Sequence, residues 1–71
     1  MIYETEFTIK LPEGKFQCSA SGHHNEYENI VIDTLSVYDR EGFEVDPEDL
    51  ENGKWIVSEA GRKLQEESEA A

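Results

Sequence analysis

Cys18, His23 and His24 are the side chains of this sequence best suited to hold a metal ion or to form a nucleophile and base pair. Their spacing is Cys-x4-His-His, with no second cysteine and no His-x3-His. A structural zinc site needs four ligands, and neighbouring histidines rarely reach one ion without strain. The pair therefore reads as part of a polar loop. Cys18 alternates with Phe16 and Ala20, which suits a small core residue better than a reactive thiol. A calcium frame starting at Glu48 would put Asn52, Gly53 and Glu59 at its fifth, sixth and twelfth positions. It fails on Leu50 and Lys54, which stand where oxygen ligands belong. No Gly-rich phosphate loop, Ser-His-Asp set or Cys-His pair at useful spacing is present. The sequence predicts no metal, no cofactor and no enzyme.

What remains is carboxylate. Seventeen acids against six bases give a formal charge of −11. Ten of those acids (Glu26, Glu28, Asp33, Asp39, Glu41, Glu44, Asp46, Glu48, Asp49 and Glu51) lie between residues 26 and 51, with Arg40 as the only base. Such a field repels nucleic acid and anionic lipid and attracts basic protein surfaces. Direct binding to DNA, RNA or a membrane is therefore not expected. Two readings of the acidic segment stand side by side. It is a solvated face that keeps a small protein in solution, or it is a negatively charged binding surface formed by Asp39, Glu41, Glu44, Asp46, Glu48, Asp49 and Glu51. Spacing favours the second. Side chains on one face of a strand recur about every 6.7 Å, near twice the roughly 3.4 Å axial rise between phosphates of one DNA strand. Glu44 and Asp46 have that relation, as do Asp39 and Glu41 if the turn there stays extended.

The elements that must carry these residues follow from period and turn chemistry. Tyr3, Thr5, Phe7, Ile9 and Leu11 alternate with Glu4, Glu6, Thr8 and Lys10, the pattern of a half-buried strand. Pro12 and Gly14 mark a tight reversal, and residues 16–20 alternate again as an antiparallel partner. Residues 21–29 read as a loop. Residues 30–38 are the most β-prone run, yet neither face is clean: Val31, Leu35 and Val37 share one with Asp33, and Ile30, Ile32 and Tyr38 share the other with Thr34 and Ser36. That suits a strand covered on both sides over part of its length. Residues 39–42 form a turn, and 43–45 suit a short returning strand. Asp46 is a good N-cap, Pro47 fits a first helical position, and one helical turn is expected before Asn52-Gly53. From Lys54, Ile56, Ala60 and Leu64 recur every four residues, which predicts an amphipathic helix of about three turns. The stretch Trp55-Ile56-Val57 also fits a strand that would extend the sheet.

The fold class expected is α+β: a small antiparallel sheet of three or four strands with one C-terminal helix packed on a face. Residues 1–66 form its single domain, and 67–71 a frayed acidic tail. Its core is expected to contain Tyr3, Phe7, Ile9, Leu11, Phe16, Cys18, Ile32, Leu35, Val37, Phe43, Val45, Trp55, Ile56, Ala60 and Leu64. A chain of 71 residues buries only about 60% of its unfolded surface, so a partner chain would add much to its stability. With one cysteine there is no internal disulfide, and the start of the chain lacks the basic and apolar runs of a signal peptide. A cytoplasmic protein is expected.

The stretch 29–50 is similar to one found in small acidic proteins of tailed bacteriophages and prophages, with the pattern V-x-I-x-S-V-x-D-x-x-G-x-E-V-D. Ile30, Ile32, Leu35, Val37, Asp39, Gly42, Glu44, Val45 and Asp46 carry the resemblance. Those proteins have an N-terminal strand pair and a short acidic C-terminal helix. The resemblance implies an inhibitor of a host protein, of the anti-CRISPR or anti-restriction type, some of which mimic DNA. The partner implied is a basic nucleic-acid-binding protein or complex in the host cytoplasm. His23-His24 and the opening Gly53-Lys54-Trp55-Ile56-Val57 depart from the pattern, which leaves the helix face open. The other reading is a small homodimeric accessory phage protein, held by apolar contact around Trp55 and the strand edges.

Overall fold

The structure, a computed structural model, describes residues 1–71. Three strands form an antiparallel meander: β1 (Tyr3–Leu11), β2 (Gly14–His24) and β3 (Ile30–Tyr38), in the order β1-β2-β3. One 3-10 turn, Pro47–Asp49, and one helix, α1 (Lys54–Ala70), complete the chain. The β1–β2 register runs from Tyr3 opposite Gly22 to Leu11 opposite Gly14. Only Pro12 and Glu13 connect them. Pro12 holds φ negative, whereas the right-handed strand twist favours turns with positive φ. Gly14, at φ 146°, absorbs the mismatch.

The mixed faces of β3 resolve into one clean face through a β-bulge. Ser21 lies opposite Thr34, but Gly22 lies opposite Ile32, so Asp33 has no partner. One extra residue shifts the period-two pattern by one. Ile30 and Ile32 before the bulge and Leu35 and Val37 after it then pack toward the same core. Asp33 points to the other face, where its Oδ2 lies 2.8 Å from Nδ1 of His23. Gly22 is required at this point. A Cβ there would collide with the Val31 carbonyl oxygen and stand 3.0 Å from a Leu64 methyl.

Helix α1 covers the apolar face. Ile56, Ala60 and Leu64 are fully buried against Phe7, Phe16, Cys18, Ala20 and Val37, with Tyr3, Ile9, Leu11, Ile30, Ile32, Leu35, Val45 and Leu50 packed around them. The opposite face of the sheet is polar, and cross-strand pairs such as Ser21–Thr34 (2.7 Å) and Thr8–Gln17 (2.9 Å) lie across it. No helix is long and apolar enough to cross a membrane.

Five details differ from the sequence reading. Residues 21–24 belong to β2 and not to a loop, because their backbone pairs with β3 throughout and, at Ser21 and Gly22, with β1 as well. The returning strand at 43–45 is reduced to one bridge, Tyr38 with Glu44, and the Val45 N–H donating to the Val37 carbonyl at 2.8 Å. Phe43 is 67% exposed because it closes the turn opposite Asp39, beyond the last covered row of the sheet. Trp55 is 56% exposed because the helical period that turns Ile56 inward leaves its neighbour on the flank. There Lys54 Nζ lies 5.8 Å from the indole centroid. Finally, α1 continues through residues 67–70 and has no break where the tail was expected.

Two glycines should respond in opposite directions to one methyl group. Gly22→Ala should destabilise the fold by about 1–3 kcal/mol, the range for overpacking. Gly61→Ala should stabilise it by about 1 kcal/mol, since its Cβ meets nothing within 4 Å in mid-helix. Urea denaturation of the two variants measures both.

Candidate partner-binding surface

Residues 39–51 carry the seven predicted partner-binding carboxylates and are held by backbone geometry from one end to the other. The segment opens with a five-residue turn, Asp39–Phe43. Asp39 Oδ1 accepts from the N–H groups of Glu41 (2.9 Å) and Phe43 (3.0 Å). The Gly42 N–H donates to the Asp39 carbonyl (3.0 Å), and the Asp39 N–H donates to the Phe43 carbonyl (2.9 Å). Gly42, at φ 88°, supplies the left-handed residue this turn demands. The β2–β3 connection is the same turn built a second time. Asn25 Oδ1 accepts from Tyr27 and Asn29 at 2.9 and 3.0 Å, and Glu28 takes the left-handed position at φ 62°.

After the turn, Asp46 Oδ1 accepts from the Glu48 N–H at 2.9 Å and caps the 3-10 turn, with Pro47 at its first position. Gly53 lies directly under the Pro47 carbonyl, where any side chain would collide. The far end is fastened from another part of the chain. Glu13, in the β1–β2 turn, accepts from the Asn52 backbone N–H (2.7 Å) and from Asn52 Nδ2 (2.9 Å). These bonds hold the Glu13 carboxyl below its ordinary value of 4.5, because they favour the charged form. The same carboxylate lies at the N-terminal end of α1, whose first turn contains no acid of its own, and so complements the helix dipole.

The seven carboxylates divide by what they already do. Asp39 and Asp46 are committed to backbone N–H groups. Glu41, Glu44, Glu48, Asp49 and Glu51 are exposed and make no side-chain hydrogen bond. The ion pairs of the protein are Arg62 with Glu59 and Glu66 and Lys63 with Glu66, and Asp33 pairs with His23, so none of the seven is in an ion pair within the chain. Glu44, Asp46 and Asp49 line one shallow concavity with Leu35, Val45 and Pro47. Asp39 lines a different one, with Lys10, Lys15, Arg40 and Glu13. Glu44, Asp46 and Asp49 are thus grouped at one concavity and Asp39 at another. Asp39 and Glu41 sit in a tight turn, so the extended spacing expected of them does not hold.

Three of the six bases, Lys10, Lys15 and Arg40, meet around that second concavity. Sequence reasoning missed this grouping, which arises from the register that sets Lys10 opposite Lys15. It also missed the Glu13–Asn52 link, which spans 39 residues and leaves no local signal. His23 and His24 are consecutive in β2 and so point to opposite faces. His23 meets Asp33, and the His24 ring stands edge-on to Tyr3 with centroids 5.5 Å apart. Cys18 is buried, and desolvation pushes its thiol up to about 11. Comparison with protein families, with curated proteins and with solved structures finds no match to this chain.

Two measurements check this division. Asp39→Ala and Asp46→Ala should each cost about 1 kcal/mol of stability, the usual worth of a capping carboxylate, while Glu44→Ala and Glu48→Ala should lie within about 0.5 kcal/mol of the parent. For Glu13, a lowered folded pKa means that the unfolded chain binds more protons. Its contribution is complete above 4.5 and is lost as pH falls below that value. Glu13→Gln should therefore be destabilising at neutral pH and close to neutral under strong acid, as measured by denaturation midpoints on both sides of this window.

Proposed function

We propose that the protein is a phage-encoded inhibitor of a host nucleic-acid-handling defence protein, of the anti-CRISPR or anti-restriction type. In this reading it acts in the host cytoplasm and binds by occlusion, without catalysis. Carboxylates of residues 41–51 occupy positions on a basic groove that otherwise hold phosphates, and each pairs with Lys or Arg through charge-assisted hydrogen bonds. The observation that supports it is the set of exposed acids at Glu41, Glu44, Glu48, Asp49 and Glu51, which no internal base neutralises, on a backbone fastened at both ends. Rigidity matters because repulsion among like charges would otherwise spread a free segment, and ordering it on binding would cost affinity. Asp39 and Asp46 then contribute by shaping the segment.

The salt response tests the reading. Affinity for a target recovered from host lysate at low ionic strength should fall at least about tenfold between low and high salt, because opposite fields drive the encounter. Triple reversal of Glu44, Glu48 and Glu51 to Lys should abolish binding and leave the thermal melt intact. Affinity that stays flat with salt, or survives that reversal, contradicts the proposal.

A further inference from the structure

The two edges of the sheet are treated differently. The outer side of β3 is partly covered by the return through Glu44 and Val45 and is interrupted by the bulge at Asp33. β1 pairs with no strand on its outer side over all nine residues, and it carries no proline, no bulge and no inward-pointing charge. Natural sheets protect such an edge with those devices or with charged side chains along it, and charge is the device β1 carries, in Glu4, Glu6 and Lys10. The direction of its free backbone groups follows from the hairpin. Leu11 and Gly14 flank a two-residue turn, so they are the hydrogen-bonded pair that closes it. By alternation, the N–H and C=O of Tyr3, Thr5, Phe7, Ile9 and Leu11 face β2, and those of Glu4, Glu6, Thr8 and Lys10 face outward.

Charge along this edge is self-complementary. Lys10 and Lys15 are directly opposite in a non-hydrogen-bonded pair, the closer kind, and neither is neutralised by an acid of its own chain. Glu4 and Glu6 form a like-charged pair at the other end of β1. An antiparallel copy of the strand, related by a two-fold axis through Phe7, places Glu4 opposite Lys10, Glu6 opposite Thr8, and Phe7 opposite Phe7. All four outward-facing residues then fall in hydrogen-bonded positions. The same axis also manages the net charge. The acidic segment lies at the Leu11 end of β1, where Glu13 grips Asn52, so antiparallel pairing sends the two acidic segments to opposite ends of the assembly.

We propose that β1 is a homodimerisation edge, joining two copies into a continuous six-stranded sheet through Glu4–Lys10 pairs and eight backbone hydrogen bonds, a count that follows from the alternation of an antiparallel ladder. The occupant is a second copy of this chain, and the surface is distinct from the acidic segment that faces a basic partner.

Sedimentation equilibrium of the full chain tests it. The wild-type chain should pass from monomer to dimer as concentration rises. Glu4→Lys and Lys10→Glu should each weaken the dimer about tenfold by setting like charges opposite each other twice, and the double variant should recover most of the loss. Thr8→Pro removes an N–H that no strand of its own chain uses, so it should abolish the dimer while circular dichroism remains that of the parent. A chain that stays monomeric at every accessible concentration overturns the proposal. So does a dimer indifferent to all three substitutions, or a charge swap that fails to recover. Should Thr8→Pro disturb the fold, the charge swap alone decides, since both of its positions are exposed.

Discussion

A three-stranded sheet under one helix can bury only one face, and the bulge at Asp33 is what makes that face apolar along its whole width. Without it, Ile30 and Ile32 would lie on the face opposite Leu35 and Val37, and the helix would cover only half of β3. The bulge has two further effects. It turns Asp33 outward to His23, and it brings the Val31 carbonyl so close to β2 that only glycine fits at position 22. That missing side chain in turn lets Leu64 approach the sheet. The packing of the C-terminal half of the helix thus depends on one unpaired residue of the opposite edge strand.

The acidic segment presents a related economy of means. It has almost no regular secondary structure, yet its path is determined by two aspartates that serve the backbone, by glycines at positions 42 and 53, and by one long-range grip from Glu13. Its remaining carboxylates are exposed and form no ion pair with a base of the chain. Repulsion among them is tolerated because the restraints are hydrogen bonds to N–H groups, which negative charge strengthens. The helix contributes in the same sense. Its arginine binds two glutamates of its own face, Glu59 and Glu66, which leaves that base unavailable to the acidic segment.

Much of this was legible in the sequence, and the exceptions share a cause. β1, the tight turn at Pro12, β3, the capped turn at Asp46 and the inward row Ile56, Ala60 and Leu64 follow from period and local turn chemistry. The mixed faces of residues 30–38 were visible too, but a bulge is a property of two strands and cannot be seen in one. Residues 21–24 read as a loop for want of periodicity and for the turn formers among and after them; pairing with β3 throughout, and with β1 at Ser21 and Gly22, overrides that local signal. Phe43 reads as inward from the alternation of a short returning strand and Trp55 as core from its place beside the helical row, and only the end of the turn and the rotation of the helix show that they face out. The seven site residues were identified by charge density, which is local. Which of them serve the backbone depends on Asx geometry, and the placing of Asp39 apart from Glu44, Asp46 and Asp49 depends on the register that brings Lys10, Lys15 and Arg40 beside it.

Cys18 stands in the middle of the central strand, 1% exposed, directly beneath the helix. It is the sole thiol of the chain. A label that reacts with sulfur can reach it only when the helix lifts from the sheet or the whole domain opens. Its rate of modification therefore reports the open fraction, and the opening rate itself once labelling outpaces reclosing. The protein thereby carries its own reporter of breathing motions, readable with a thiol reagent and no engineered site.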